Sequence, residues 1–258
     1  MPEITSADGT TIAFERTGEG PAVVLVSGAL STRGSEVPLA SLLAARLTVF
    51  IYDRRGRGES GDSTAYAVER EIEDLAGVLG QTDGPAGVYG TSSGGNLALA
   101  AAARGLPISR LALWEPNFLV DETRPPLPSD YVEHLEELVS GGRRGDAVEY
   151  FMTTATGMPA EVVAPMREMG FWPAMEQGAH TLAYDGRVVG DFSLERARVG
   201  GLNVPTLVLD GGQVPWLSNG AEALAQALPD ARRRTLAGQQ HNVAPDAIAP
   251  ALVEFFAV

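Results

Sequence analysis

The sequence predicts an α/β fold: a doubly wound, mostly parallel sheet with a helical segment inserted into it. Three observations carry that reading. Short continuous apolar runs recur along the chain, the pattern of strands buried on both faces. Helical patterns alternate with them, which implies parallel pairing through helical crossovers. One long stretch breaks the alternation.

In chain order, a hairpin opens the fold: Ile4 and Thr5, a turn at Ala7-Asp8-Gly9, then the alternating Thr11 to Glu15. Buried strands are expected at Ala22 to Val26, Thr48 to Tyr52, Ala86 to Tyr89, Leu111 to Trp114 and Thr206 to Leu209. The run Ala231 to Leu236 is interrupted by arginines and suits an edge strand. The intervening helices are expected over Pro38 to Arg46, Val68 to Gly80, Asn96 to Arg104, Asn219 to Leu228 and Pro245 to Phe256.

From Asn117 to about Gly200 no buried-strand pattern occurs. A proline-rich lead-in, Arg124 to Pro128, is followed by amphipathic stretches at Asp130 to Val139, Asp146 to Thr154, Glu161 to Met169 and Trp172 to His180. Five of the six methionines (152, 158, 166, 169 and 175) fall here, and such helices serve either as core or as an adaptable apolar wall. The segment reads as a helical lid. The expected division is residues 1–116 and 201–258 for the sheet domain and 117–200 for the insertion.

Composition excludes several classes of function. The 258 residues carry a net charge of −14, which disfavours nucleic acid and anionic membranes as partners. All 19 basic residues are arginine, so Schiff-base lysine chemistry is excluded. There is no cysteine, hence no disulfide, thiolate nucleophile or cysteine-ligated metal. The three histidines, His134, His180 and His241, lack metal-ligand spacing, and neither a metal nor a cofactor is expected. The N-terminus lacks the pattern of a signal peptide, and no apolar run reaches the ~18 residues of a membrane span. A cytoplasmic enzyme acting on a small molecule is expected, with a homodimer left open.

The stretch Val88 to Gly95 carries the chemistry. An apolar run meets Gly90-Thr91-Ser92-Ser93-Gly94, and an alanine-rich helix follows directly. That is the setting of a nucleophile elbow, a turn from strand into helix tight enough to need glycine on either side of a strained serine. Ser92 would stand at the edge of the sheet above a helix N-terminus, where the Ser93 N–H is placed to donate to a developing oxyanion.

Four pieces, in this order, resemble the α/β-hydrolase fold family over essentially the whole chain: Val26 to Ala29, Asp53 to Ser60, the elbow at Ser92, and Gly238-Gln239-Gln240-His241. The resemblance implies a backbone oxyanion donor in the first loop, at Ala29, and a structural role for the Asp53 loop. It places the catalytic histidine, His241, after the last strand. Ser27 stands where relatives often have histidine before the glycine, which leaves N–H donation intact. The larger departure is Val214, which occupies the usual position of the triad acid. Glu115, at the end of the strand after the elbow helix, is the preferred acid, as in certain lactonases of the family; Asp210 is the alternative.

A serine with a histidine base supports acyl transfer to water. Hydrolysis of an ester or lactone is the leading expectation. Two others stand beside it: a lyase or carbon–carbon bond hydrolase on the same residues, and a hydrolase-like cyclase or binding protein. Aromatics in the insertion and rim loops suggest a mostly apolar substrate pocket including Phe118, Trp172, His180 and Trp216, with Phe171 and Tyr184 nearby. His134 is expected on a solvated helix face.

Overall fold

The computed structural model describes residues 2–194 and 199–257. Eight strands form one sheet: β1 (Glu3–Thr5), β2 (Thr11–Thr17), β3 (Ala22–Val26), β4 (Thr48–Tyr52), β5 (Ala86–Thr91), β6 (Ile108–Trp114), β7 (Thr206–Asp210) and β8 (Ala231–Thr235). Their order is β1-β2-β4-β3-β5-β6-β7-β8. The β1–β2 and β2–β4 pairs are antiparallel, and every other pair is parallel.

The apolar runs divide by residue parity into two cores, as a pleated strand requires. Val24, Val26, Val88, Leu111, Leu113 and Val208 face one side, beneath α2 (Val68–Leu79), α3 (Ser93–Ala103) and α9 (Pro215–Ala227). Val23, Leu25, Tyr89, Ala112, Trp114 and Leu209 face the other, beneath α1 (Arg33–Leu43) and α10 (Pro245–Phe256). In β8, the three arginines are exposed, which protects an edge strand from pairing further.

Between β6 and β7 the described residues contain helices and no strand. These are α4 (Tyr131–Ser140), α5 (Arg144–Tyr150), α6 (Ala160–Val163), α7 (Trp172–Gly178) and α8 (Thr181–Val189). They bury an apolar cluster that includes Leu135, Val148 and Leu182 and is completed by Phe192 and by Trp216 of α9. No helix among the described residues is long and apolar enough to cross a membrane.

Three boundaries differ from the sequence reading for identifiable reasons. Helix α1 starts at Arg33, ahead of Pro38, because the Asp53 carboxylate accepts the Arg33 N–H at 2.7 Å and anchors the first turn. The stretch after α6 tightens into a 3₁₀ turn over Ala164–Glu168, where Pro165 has no N–H to give to an α-helix. After α5 the chain widens into a π-helical turn over Phe151–Ala155. Helix α8 lies beyond the last helix the sequence suggested in this segment.

Candidate active site

Register places the catalytic candidates. Thr91 pairs with Trp114, and Trp114 with Leu209, so these three adjacent parallel strands end level. The next residue of each is Ser92, Glu115 and Asp210. Backbone bonds extend the ladder one step past the pairing: Ser92 N–H donates to Trp114 O, and Glu115 N–H to Leu209 O, both at 2.9 Å.

Ser92 makes the turn at φ 54°, ψ −127°, strained for a residue with a side chain. The turn closes only because its flanking residues are glycine. A Cβ at Gly90 would strike the Gly94 carbonyl, and one at Gly94 would strike the carbonyls of Val26 and Ser27. Among the described residues, four non-glycine residues have positive φ: Leu30, Ser92, Glu115 and Phe192. Leu30, Ser92 and Phe192 line one cavity, and Glu115 lies behind its wall. Strain concentrated in this way marks a functional site.

Glu115 is fully buried, and its two oxygens are both engaged. Oε2 lies 2.7 Å from His241 Nδ1, and Oε1 accepts the Gly211 N–H at 3.0 Å. Trp114, the residue before it, donates its indole N–H to the His241 carbonyl at 2.8 Å. One dipeptide thus holds both the ring and the main chain of the histidine. Gly211 is required where Gln239 passes, since a Cβ there would overlap the Gln239 carbonyl. The His241 side chain keeps 38% exposure and opens into the cavity beside Ser92.

Asp210 is bonded elsewhere. It accepts from Arg233 at 2.8 Å, from the Ser218 hydroxyl at 3.0 Å and from Thr235 at 3.1 Å. These bonds join β7 to β8 and α9, and none of them reaches His241.

The cavity has a volume of about 1010 Å³ and lies between the sheet edge and the helical segment. Ala29 and Ser93, the two candidate oxyanion donors, are on its wall, and so is Trp216. Three expected pocket residues are not. Phe118 turns into the core under α9, where its carbonyl lies against Gly220. Trp172 is buried within the helical cluster with its N–H on Glu176 at 3.1 Å. His180 pairs with Asp62 at 3.4 Å and packs edge-on against Tyr184. Phe171 is exposed, and His134 is half-exposed with its ring edge-on to Tyr150. Apolar lining comes instead from residues such as Tyr131, Phe151, Met152 and Met175.

Three functional candidates were missed by sequence reasoning. Asn117 accepts the Ser92 hydroxyl at 3.3 Å through Oδ1, and Asn96 bonds its main chain at 2.9 and 3.2 Å. Glu36 faces the cavity from α1. Asp185, on α8, is 4% exposed and binds three groups. It accepts from Arg54 at 2.8 Å, Arg57 at 2.7 Å and the Ser93 hydroxyl at 2.7 Å. Burial alone would raise its carboxyl, but Arg57 and Arg54 hold it below the ordinary range. Arg57 also donates to the Gly28 carbonyl at 2.9 Å, and Arg54 to the Ser27 carbonyl at 3.2 Å and to Glu71 at 2.6 Å. The Asp53 loop therefore fixes the backbone that presents Ala29. An aspartate among Leu182, Ala183 and Gly186 was the available signal.

Asp185→Asn should be strongly destabilising, because it removes one partner from two buried guanidiniums. Such losses cost about 3–5 kcal/mol, equivalent to a fall in Tm of at least roughly 6 °C. Thermal unfolding checks this, and a Tm within a degree or two of wild type would contradict it.

Among the described residues no group of three His, Asp or Glu side chains is placed to hold a metal.

The profile of the alpha/beta hydrolase family matches residues 23–251. The chain is similar to an alpha/beta hydrolase from Sphaerobacter thermophilus DSM 20745, with 56% identity and a TM-score of 0.94 over 99% of this chain and 100% of that one. It shares its fold with the enol-lactonase from Burkholderia xenovorans LB400, at 24% identity and a TM-score of 0.76 over the full length of both. A curated relative, the uncharacterized hydrolase YraK of Bacillus subtilis, is 35% identical over 95 residues, and the match spans only 35% of either chain. With the profile matched across nearly its whole length, the chain belongs to the alpha/beta hydrolase family.

Proposed function

We propose that the protein is a serine hydrolase that cleaves a carboxylic ester or lactone of a mostly apolar small molecule through Ser92, His241 and Glu115. The observation that carries this is the 2.7 Å contact from the buried Glu115 to His241 Nδ1, with the ring on one cavity wall beside the strained Ser92. The Ser92 hydroxyl turns from Asn117 to His241 and gives its proton to Nε2 as Oγ attacks the carbonyl carbon. The N–H groups of Ala29 and Ser93 receive the oxyanion. On collapse, His241 returns the proton to the departing alkoxide, leaving an acyl ester on Ser92. A water, deprotonated by His241, then releases the acid and restores the serine. Glu115 orients the ring and stabilises the imidazolium formed in both halves.

The residues 117–200 act in this reading as a cap whose methionines and aromatics form the apolar wall of the substrate pocket. Val214 stands where relatives keep a carboxylate, and the contact of Glu115 with His241 supports a complete triad over a binding protein or cyclase. A fluorophosphonate probe tests the assignment. It should label the protein stoichiometrically on Ser92 and leave Ser92→Ala unlabelled. An inert wild type would return the non-catalytic reading to first place. Labelling without turnover of any ester or lactone would favour carbon–carbon bond cleavage.

A further inference from the structure

Among the described residues, two carboxylates line the cavity and no guanidinium does. They differ in their partners. The charge of Asp185 is balanced by Arg54 and Arg57. Glu36, in the first turn of α1, shares the cavity wall with Ser35, Leu39 and Tyr89, and no ion pair or hydrogen bond among the described residues reaches its carboxyl. Its charge is felt at the Tyr89 phenol, which is itself buried.

Glu36 is half-buried, with part of its surface open to the cavity, and the protein packed around its unpartnered carboxyl pushes it up to about 7. A helix N-terminus favours a carboxylate in its first turn, but that effect would lower the carboxyl, so burial prevails here. A cation arriving in the cavity would remove the cost of the bare charge. A second carboxylate would add to it, and no arginine among the described residues lines the wall to receive one.

We propose that Glu36 sets the charge selectivity of the cavity, accepting substrates that carry an ammonium group and rejecting those that carry a carboxylate beyond the bond to be cleaved. The inference rests on the hydrolase reading only for the identity of the cleaved bond.

The experiment uses three p-nitrophenyl esters of equal length whose acyl chains end in methyl, trimethylammonium or carboxylate. Wild type should favour the ammonium ester over the carboxylate ester in kcat/KM, and Glu36→Gln should reduce that ratio about tenfold or more. A ratio unchanged by Glu36→Gln overturns the proposal while leaving the hydrolase assignment intact. Binding of the corresponding unreactive amides to Ser92→Ala, followed by calorimetry, separates the two failures. Preference for the ammonium amide, lost in Ser92→Ala/Glu36→Gln, upholds the proposal even if no ester is turned over. Equal binding of the charged amides, or no binding of the ammonium amide, overturns it. A carboxyl that served only α1 would change Tm and leave the charge ratio alone.

Discussion

Ser92→Ala should lower kcat for any ester substrate by roughly 10⁴- to 10⁶-fold while the protein stays folded. The hydroxyl is the only atom group removed, and its bond to Asn117 is a single contact at 3.3 Å, so little stability depends on it. The strain at φ 54° belongs to the turn and persists with alanine. His241→Ala should match the loss within about tenfold, since neither member works without the other, and the double variant should be scarcely worse than either. Steady-state kinetics on the three variants, with circular dichroism to verify folding, decides this. Activity near wild type in Ser92→Ala would end the nucleophile assignment.

Glu115→Gln should lower kcat by roughly 10²- to 10⁴-fold with KM little changed. The amide keeps the shape of the side chain but loses the charge that stabilises the imidazolium, and its NH₂ turned toward Nδ1 favours the wrong tautomer. Asp210→Asn gives the contrast. It weakens the bonds to Arg233, Ser218 and Thr235 and should lower Tm, with kcat held within about tenfold because no bond from Asp210 reaches His241. If Asp210→Asn were inactive and Glu115→Gln active, the roles assigned to the two carboxylates would be reversed.

The alternation of apolar runs and helices was enough to reveal the sheet, because strands buried on both faces leave a local imprint. Ser92 was visible for a similar reason, since the two glycines its turn needs, Gly90 and Gly94, stand within five residues of each other. Glu115 and Asp210 were harder to separate. Both follow a buried strand, and only register and the path of the Gly211 and Gln239 backbones decide which of them meets His241. The pocket was least legible. Asn117 and Phe118 are neighbours that point to opposite sides, so an error of one residue exchanged a cavity wall for the core. Trp172 starts α7 and His180 lies in the turn before α8, and where each points depends on packing distant in sequence, such as the contact of His180 with Asp62. Asp185 and the arginines it binds lie 128 and 131 positions apart, a distance over which no periodicity speaks.

Glu115 is also the last residue before the chain leaves the sheet for the helical segment, and Asp185 lies near where that segment returns. Both ends are thus moored at the candidate site: one to the His241 ring, the other to Ser93 and, through Arg57, to the loop of Ala29. A hinged cover that swung free would pull Asp185 from Arg57 and Ser93 and so loosen the loop that presents Ala29. Entry of substrate is therefore better served by small shifts of the methionine-lined wall, whose side chains rearrange without moving either mooring.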